Sequence, residues 1–115
     1  MEIESIKGWD KRANGTCLRG YITGDYNLLV ETFGPPIGGN DEYKTDAEWL
    51  LVLNDKVVVT IYNYKTGRNY LGDSGQDVED ITDWHVGGKS SEGLLLLDEY
   101  FEDNKIRLQT TLDRF

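Results

Sequence analysis

The chain holds one histidine, His85, and one cysteine, Cys17. That scarcity bounds most of the acid–base, nucleophilic and metal chemistry available to it. In Asp83-Trp84-His85, strand alternation would put the carboxylate and the imidazole on one face, a spacing at which aspartate can orient a histidine base. Cys17 is the candidate nucleophile, but no local spacing brings it to His85. One histidine and one cysteine make too few ligands for a tetrahedral zinc site. Asp73, Asp77 and Glu79 miss the calcium-loop pattern, because the sixth position, where glycine makes the turn, is Val78. Gly88-Lys89-Ser90 has the ending of a phosphate loop, but the first glycine of that motif would stand at position 83, which is Asp83. The residues therefore predict no catalytic set, no metal and no cofactor. A small hydrolase using His85 is the third-ranked reading.

Two other clusters have chemistry to offer. Tyr62, Asn63, Tyr64, Lys65, Arg68, Asn69 and Tyr70 put aromatic rings, cations and amides within nine positions. Rings can stack on a base, Lys65 and Arg68 can meet phosphate, and the asparagines can read base edges. With His85 nearby, a small nucleotide pocket is the alternative to the leading, acidic-surface reading, since a pocket needs only a few local cations. The plainer alternative has Tyr62 and Tyr64 packing across strands beside a polar turn. The second cluster is acidic: residues 73–103 carry ten acids against one lysine, Lys89. Asp73, Asp77, Glu79, Asp80, Asp98, Glu99, Glu102 and Asp103 are its partner-binding candidates. Such a field can imitate a phosphate backbone and occupy the basic nucleic-acid groove of another protein. Its plainer alternative is a solvated face that keeps a small protein in solution.

The elements that must hold these residues follow from periodicity. Residues 17–22 read as a strand, and Thr23 as the cap of a helix at 24–33. In that helix Tyr26, Leu29, Val30 and Phe33 form one apolar face. Gly34 and Pro35-Pro36 stop it, with Gly34 expected in a left-handed conformation. A glycine-rich loop spans 37–46. Residues 48–53 and 57–64 read as a hairpin around Asn54-Asp55-Lys56, apolar on both faces and so interior to a sheet. Trp49 and Trp84 are expected in the core. After an acidic loop at 72–80 comes a strand at 81–86, which Gly87-Gly88 breaks, exposing amides that suit an anion. Ser90 or Ser91 caps a helix through Phe101, with Leu94, Leu97 and Phe101 on one face and Gly93 as a weak point. Ile106, Leu108 and Thr110 alternate with polar residues, as in an edge strand. The fold class expected is α+β: one domain over 1–115 in the order β-α-β-β-β-α, with a mostly antiparallel sheet and two helices packed on one face. Residues 1–16 are read as an N-terminal extension and 104–115 as a C-terminal strand or tail, with one further strand allowed at each end.

Composition narrows the function classes. At 115 residues, 38% of them hydrophobic and 29% charged, the chain is sized for one globular core. A net charge of −9 and a pI near 4.4 argue against direct binding of nucleic acid. No apolar run approaches the ~20 residues of a membrane helix. The acidic start Met1-Glu2-Ile3-Glu4 lacks the basic region of a secretion signal. A single cysteine cannot form an internal disulfide, which fits a reducing cytoplasm.

Four blocks in order carry a resemblance: residues 26–36 (YNLLVETFGPP), 44–49 (KTDAEW), 60–67 (TIYNYKTG) and 81–88 (ITDWHVGG). Over residues 17–100 the chain resembles a group of small proteins of bacteriophages and other large DNA viruses, mostly without assigned function. The resemblance implies a non-enzymatic accessory protein, cytoplasmic in the infected host, that blunts host defence. Two modes fit that expectation. One is anti-CRISPR-like inhibition of a host protein that has a basic nucleic-acid-binding surface. The other is sequestration of an immune signalling nucleotide. The second mode would gather a few aromatics and cations around one concave pocket at an oligomer interface, while the oligomeric state itself is not legible.

Overall fold

A computed structural model of the chain describes residues 1–8, 10–37 and 46–113. Most of the expected 37–46 loop, and part of the 44–49 block, lie outside the described residues. The fold is α+β. Strands β1 (Ile3–Ile6), β2 (Cys17–Thr23), β3 (Glu48–Leu53), β4 (Val57–Tyr62), β5 (Asp83–Gly88) and β6 (Gln109–Leu112) form one sheet. Its order is β1-β3-β4-β5-β2-β6, and every neighbouring pair is antiparallel. Helices α1 (Tyr26–Phe33), α2 (Arg68–Leu71) and α3 (Glu92–Asp103) complete it.

The two-sided apolarity of β3 and β4 places them inside the sheet, and all six residues of β3 are buried. Asn54 and Asp55, at φ 53° and 65°, close the hairpin in the left-handed region that suits its twist. One face of the sheet carries Trp49, Leu51, Leu53, Val59, Ile61, Trp84, Val86 and Ile22. Leu29 and Phe33 of α1, and Leu94, Leu97 and Phe101 of α3, pack against this face. The other face has a smaller patch, Leu50, Val52 and Val58, under Ile6, Ala13 and Ile37.

Two tryptophans fasten α1 to the sheet. The Trp49 indole N–H donates to the Gly34 carbonyl at 2.8 Å, just past the helix. The Trp84 indole N–H donates to the Gly24 carbonyl at 3.1 Å, just before it. The indoles meet edge-on at 5.5 Å, and the Tyr26 ring lies about 6 Å from both, at 6.0 and 6.1 Å. Gly34 has φ 86° and ψ −178°, a region essentially closed to residues with a Cβ, and there the chain leaves the helix.

Several expectations are corrected. The cap of α1 is Asp25, whose carboxylate accepts from the Asn27 amide at 3.3 Å; Thr23 belongs to β2, paired with Asp83. β4 ends at Tyr62 rather than at 64. β5 starts at Asp83 and runs through Gly87 and Gly88, so these glycines do not break the strand or present free amides to an anion. They pair with Thr60 and Val59 on one side and with Leu18 and Cys17 on the other. A Cβ on Gly87 would stand 2.4 Å from the Thr60 hydroxyl, so glycine serves close approach here, not a turn. Gly93 serves the same end, since a Cβ there would meet Val59 Cγ2 at 2.2 Å. α3 continues past Phe101 to Asp103. Both chain ends enter the sheet: β1 pairs with β3, and β6 with β2. β2 bulges between Leu18 and Gly20, where the Arg19 guanidinium donates to the carbonyls of Gly88 and Lys89. No helix among the described residues is long and apolar enough to cross a membrane.

Trp84 is fully buried and also holds the start of α1. Trp84→Ala should therefore cost ~3–5 kcal/mol, read as a lower urea midpoint. An unchanged midpoint would refute the clamp.

Candidate functional site

On the sheet face away from the helices, register sets three side chains in a row: Tyr62 on β4, His85 on β5 and Tyr21 on β2. Directly opposed residues of an antiparallel pair share a face, so the row follows from pairing alone. The imidazole lies 5.2 Å from the Tyr21 ring and 5.5 Å from the Tyr62 ring, both in edge-type contacts. Tyr64, just past the end of β4, adds a third ring at 5.7 Å, tilted by 33°. Thr60 and Gly87 are the next opposed pair on this face, and the missing Cβ of Gly87 leaves room for the Thr60 hydroxyl.

Half-burial among these rings holds the His85 pKa below its ordinary value, so the imidazole is neutral at pH 7. Burial raises the Tyr62 pKa, and the Glu48 carboxylate, its cross-strand neighbour, pushes the same way. The result is a surface of neutral rings, with the Glu48 carboxylate opposite Tyr62. It has one imidazole able both to donate and to accept a hydrogen bond, and phenol hydroxyls at its margin. Such a surface can stack a planar ring and read its edge.

The other expected nucleotide residues behave unequally. Lys65, at φ 60°, holds its ammonium 5.3 Å from the centroids of both Tyr64 and Tyr70, joining these rings to the cluster. Arg68 is tied to Asp77 at 2.6 Å, so an expected phosphate contact pairs instead with an expected partner-binding acid. Asn63 reads no base edge: it is fully buried, accepting from the amides of Asp46 and Ala47 and donating to the Asp46 carboxylate. That carboxylate also lies over Gly67, where a Cβ would meet it at 2.1 Å, and so fixes the turn after Tyr64.

The catalytic arrangement does not assemble. Asp83 shares a face with His85, yet among the described residues no carboxylate bonds to the imidazole. Ile81 lies outside the strand, in the main core. Cys17 pairs with Gly88, three residues along β5 from His85, which is about 10 Å of strand. No described group of three His, Cys, Asp or Glu residues is arranged to hold a metal.

The eight acidic candidates are all exposed but divide between two places. Asp73, Asp77, Glu79 and Asp80 lie in and beside two 3-10 turns, at Gly72–Ser74 and Val78–Asp80. Asp98, Glu99, Glu102 and Asp103 lie on α3, which also carries Glu92 and has no lysine or arginine. Tyr21 was not among the sequence candidates. Its strand was legible, but the β2–β5 register that turns it toward His85 joins segments some 60 positions apart. Comparison with protein-family models, curated proteins and solved structures finds no match to the chain.

The His85 environment implies a pH dependence with a definite sign. Its folded pKa is lowered, so the unfolded chain takes up the proton first, near pH 6.5. Stability present above that pH should fall as pH drops through the unfolded and then the folded pKa. Urea titrations between about pH 7 and about pH 5.5 should show the wild type losing more stability than His85→Gln. Parallel losses would place His85 in a water-like environment.

Proposed function

We propose that the protein binds and retains a nucleotide or similar base-bearing ligand at Tyr21, Tyr62, Tyr64 and His85. Lys65 supplies the nearest cation for phosphate. The observation that carries this reading is the convergence of three tyrosine rings on one neutral imidazole, on the sheet face opposite the helices. A base gains ~1–3 kcal/mol from each aromatic ring it stacks on, and that gain does not depend on charge in a chain of net −9. The imidazole adds hydrogen-bond selectivity that stacking lacks. In the viral setting implied by the four sequence blocks, such a protein sequesters a signalling nucleotide. Calorimetry with cyclic and linear nucleotides should detect binding, and Tyr21→Ala and Tyr62→Ala should each weaken it about tenfold or more. Absence of binding for every nucleotide at millimolar concentration would overturn the reading.

A second reading has its own observation: apart from Leu95, every exposed residue of α3 is an acid. It makes the protein an inhibitor that docks this side on the basic nucleic-acid-binding surface of a host defence protein. Glu102 and Asp103 stand in the last turn of α3, where the helix dipole disfavours them. Glu102→Lys with Asp103→Lys should therefore raise thermal stability, by ~0.3–1 kcal/mol per charge, while abolishing salt-sensitive capture of the partner. A stability loss, or capture indifferent to charge and salt, would count against it.

A further inference from the structure

β6 is a terminal strand of the sheet, and its sequence, Gln109-Thr110-Thr111-Leu112, has none of the charges or prolines that usually blunt an open edge. The Asp113 amide donates inward to the Arg19 carbonyl at 2.9 Å. Antiparallel alternation then turns the amides and carbonyls of Thr111 and Gln109 toward β2, and those of Thr110 and Leu112 outward. The side chains of Thr110 and Leu112 rise on the helix side, where the Thr110 hydroxyl donates to the Asp98 carboxylate at 2.6 Å. Between β6 and α3 runs a groove of about 310 Å³, lined by Leu94, Leu95, Asp98, Thr110 and Leu112. Leu95 is 53% exposed and Leu112 40%, so two leucines face water beside a strand edge that no described residue pairs with. Along α3, Leu95, Asp98 and Glu102 follow at helical spacing, so the wall of the groove passes from leucine to acids.

From this we infer that the β6 edge takes up an extended segment of a partner protein as a seventh strand. On its helix-facing side that segment carries an aliphatic residue and, two positions along, a lysine or arginine. The inference rests on the acidic-face reading and specifies its docking mode. Outward amides and carbonyls give the hydrogen bonds, Leu95 and Leu112 receive the aliphatic side chain, and Asp98 and Glu102 receive the cation. A second copy of this chain fits worse. Pairing β6 with β6 would bring together two α3 helices, each with five acids and no base.

The test is amide exchange by NMR, with a synthetic peptide repeating Leu-Thr-Lys-Thr as the probe, which sets leucine and lysine alternately on one face of a strand. A peptide of equal charge interrupted by prolines serves as the control. In the free protein the Thr110 and Leu112 amides should exchange freely while those of Gln109 and Thr111 are protected. Adding the alternating peptide should slow Thr110 and Leu112 about tenfold or more. Leu112→Pro removes one outward amide at a position where an edge strand tolerates proline, and should weaken the peptide about tenfold. If that variant folds poorly, the wild-type exchange pattern decides alone. No protection at millimolar peptide would overturn the inference. So would equal binding of the proline-interrupted control with wild-type affinity in Leu112→Pro, an outcome that keeps the acidic face and discards the edge. Equal protection by a leucine–glutamate peptide would overturn both. Thr110 and Leu112 amides already protected in a sedimenting dimer would assign the edge to a second copy.

Discussion

The fold depends on one contact: the edge-on meeting of Trp49 and Trp84 beneath α1. Each indole does two things. Its ring fills the core between sheet and helix, and its single N–H satisfies a carbonyl at one end of that helix, Gly34 for Trp49 and Gly24 for Trp84. An eight-residue helix is too short to be stable by itself in water. Here both ends are fixed to strands that are not neighbours in the sheet, β3 and β5, with β4 between them. The helix thus spans the middle of the sheet, and its placement fixes which face is core.

That choice divides the labour of the sheet. On the helix side the strands present tryptophan, leucine, isoleucine and valine. On the other side the same strands present Tyr21, Thr60, Tyr62 and His85. Glycine serves this face too, because Gly87 has no side chain to crowd the Thr60 hydroxyl opposite it. The aromatic cluster therefore sits on the most firmly held strands, while its cation, Lys65, comes from a turn anchored by Asp46 and the buried Asn63. Rigid rings with an adjustable charge suit a ligand with a flat base and a flexible phosphate.

Local pattern made much of this legible. The apolar stripe of α1, both core tryptophans, the β3–β4 hairpin and the buried stripe of α3 all follow from periods of 3.6 or 2. What was not legible has particular causes. Thr23 and Asp25 are both good caps two residues apart, and only strand pairing decides that Thr23 is already committed to β2. Gly87-Gly88 looks like punctuation because the hydroxyl it accommodates, that of Thr60, lies far away in sequence. Arg68 and Asp77 read as members of two opposite sites, since charge lists say nothing of pairing. Half of the aromatic cluster, Tyr62 and Tyr64, was visible as a string, and His85 could be set beside it. Tyr21 could not, because its place depends on a register formed across the whole chain.

The strand order also bears on how the molecule is assembled. Only β3 and β4 form a tight hairpin. β2, which lies between β5 and β6, waits for both partners from the far end of the chain, and the Trp84–Gly24 bond closes across 60 residues. Such non-local closure slows folding, because chain entropy is lost before contacts repay it. On a ribosome, β2 and α1 emerge long before the strands that will cover them. During that interval the apolar face of α1 and both edges of β2 are open, so the chain is most exposed to mispairing in the time needed to synthesise residues 34–112.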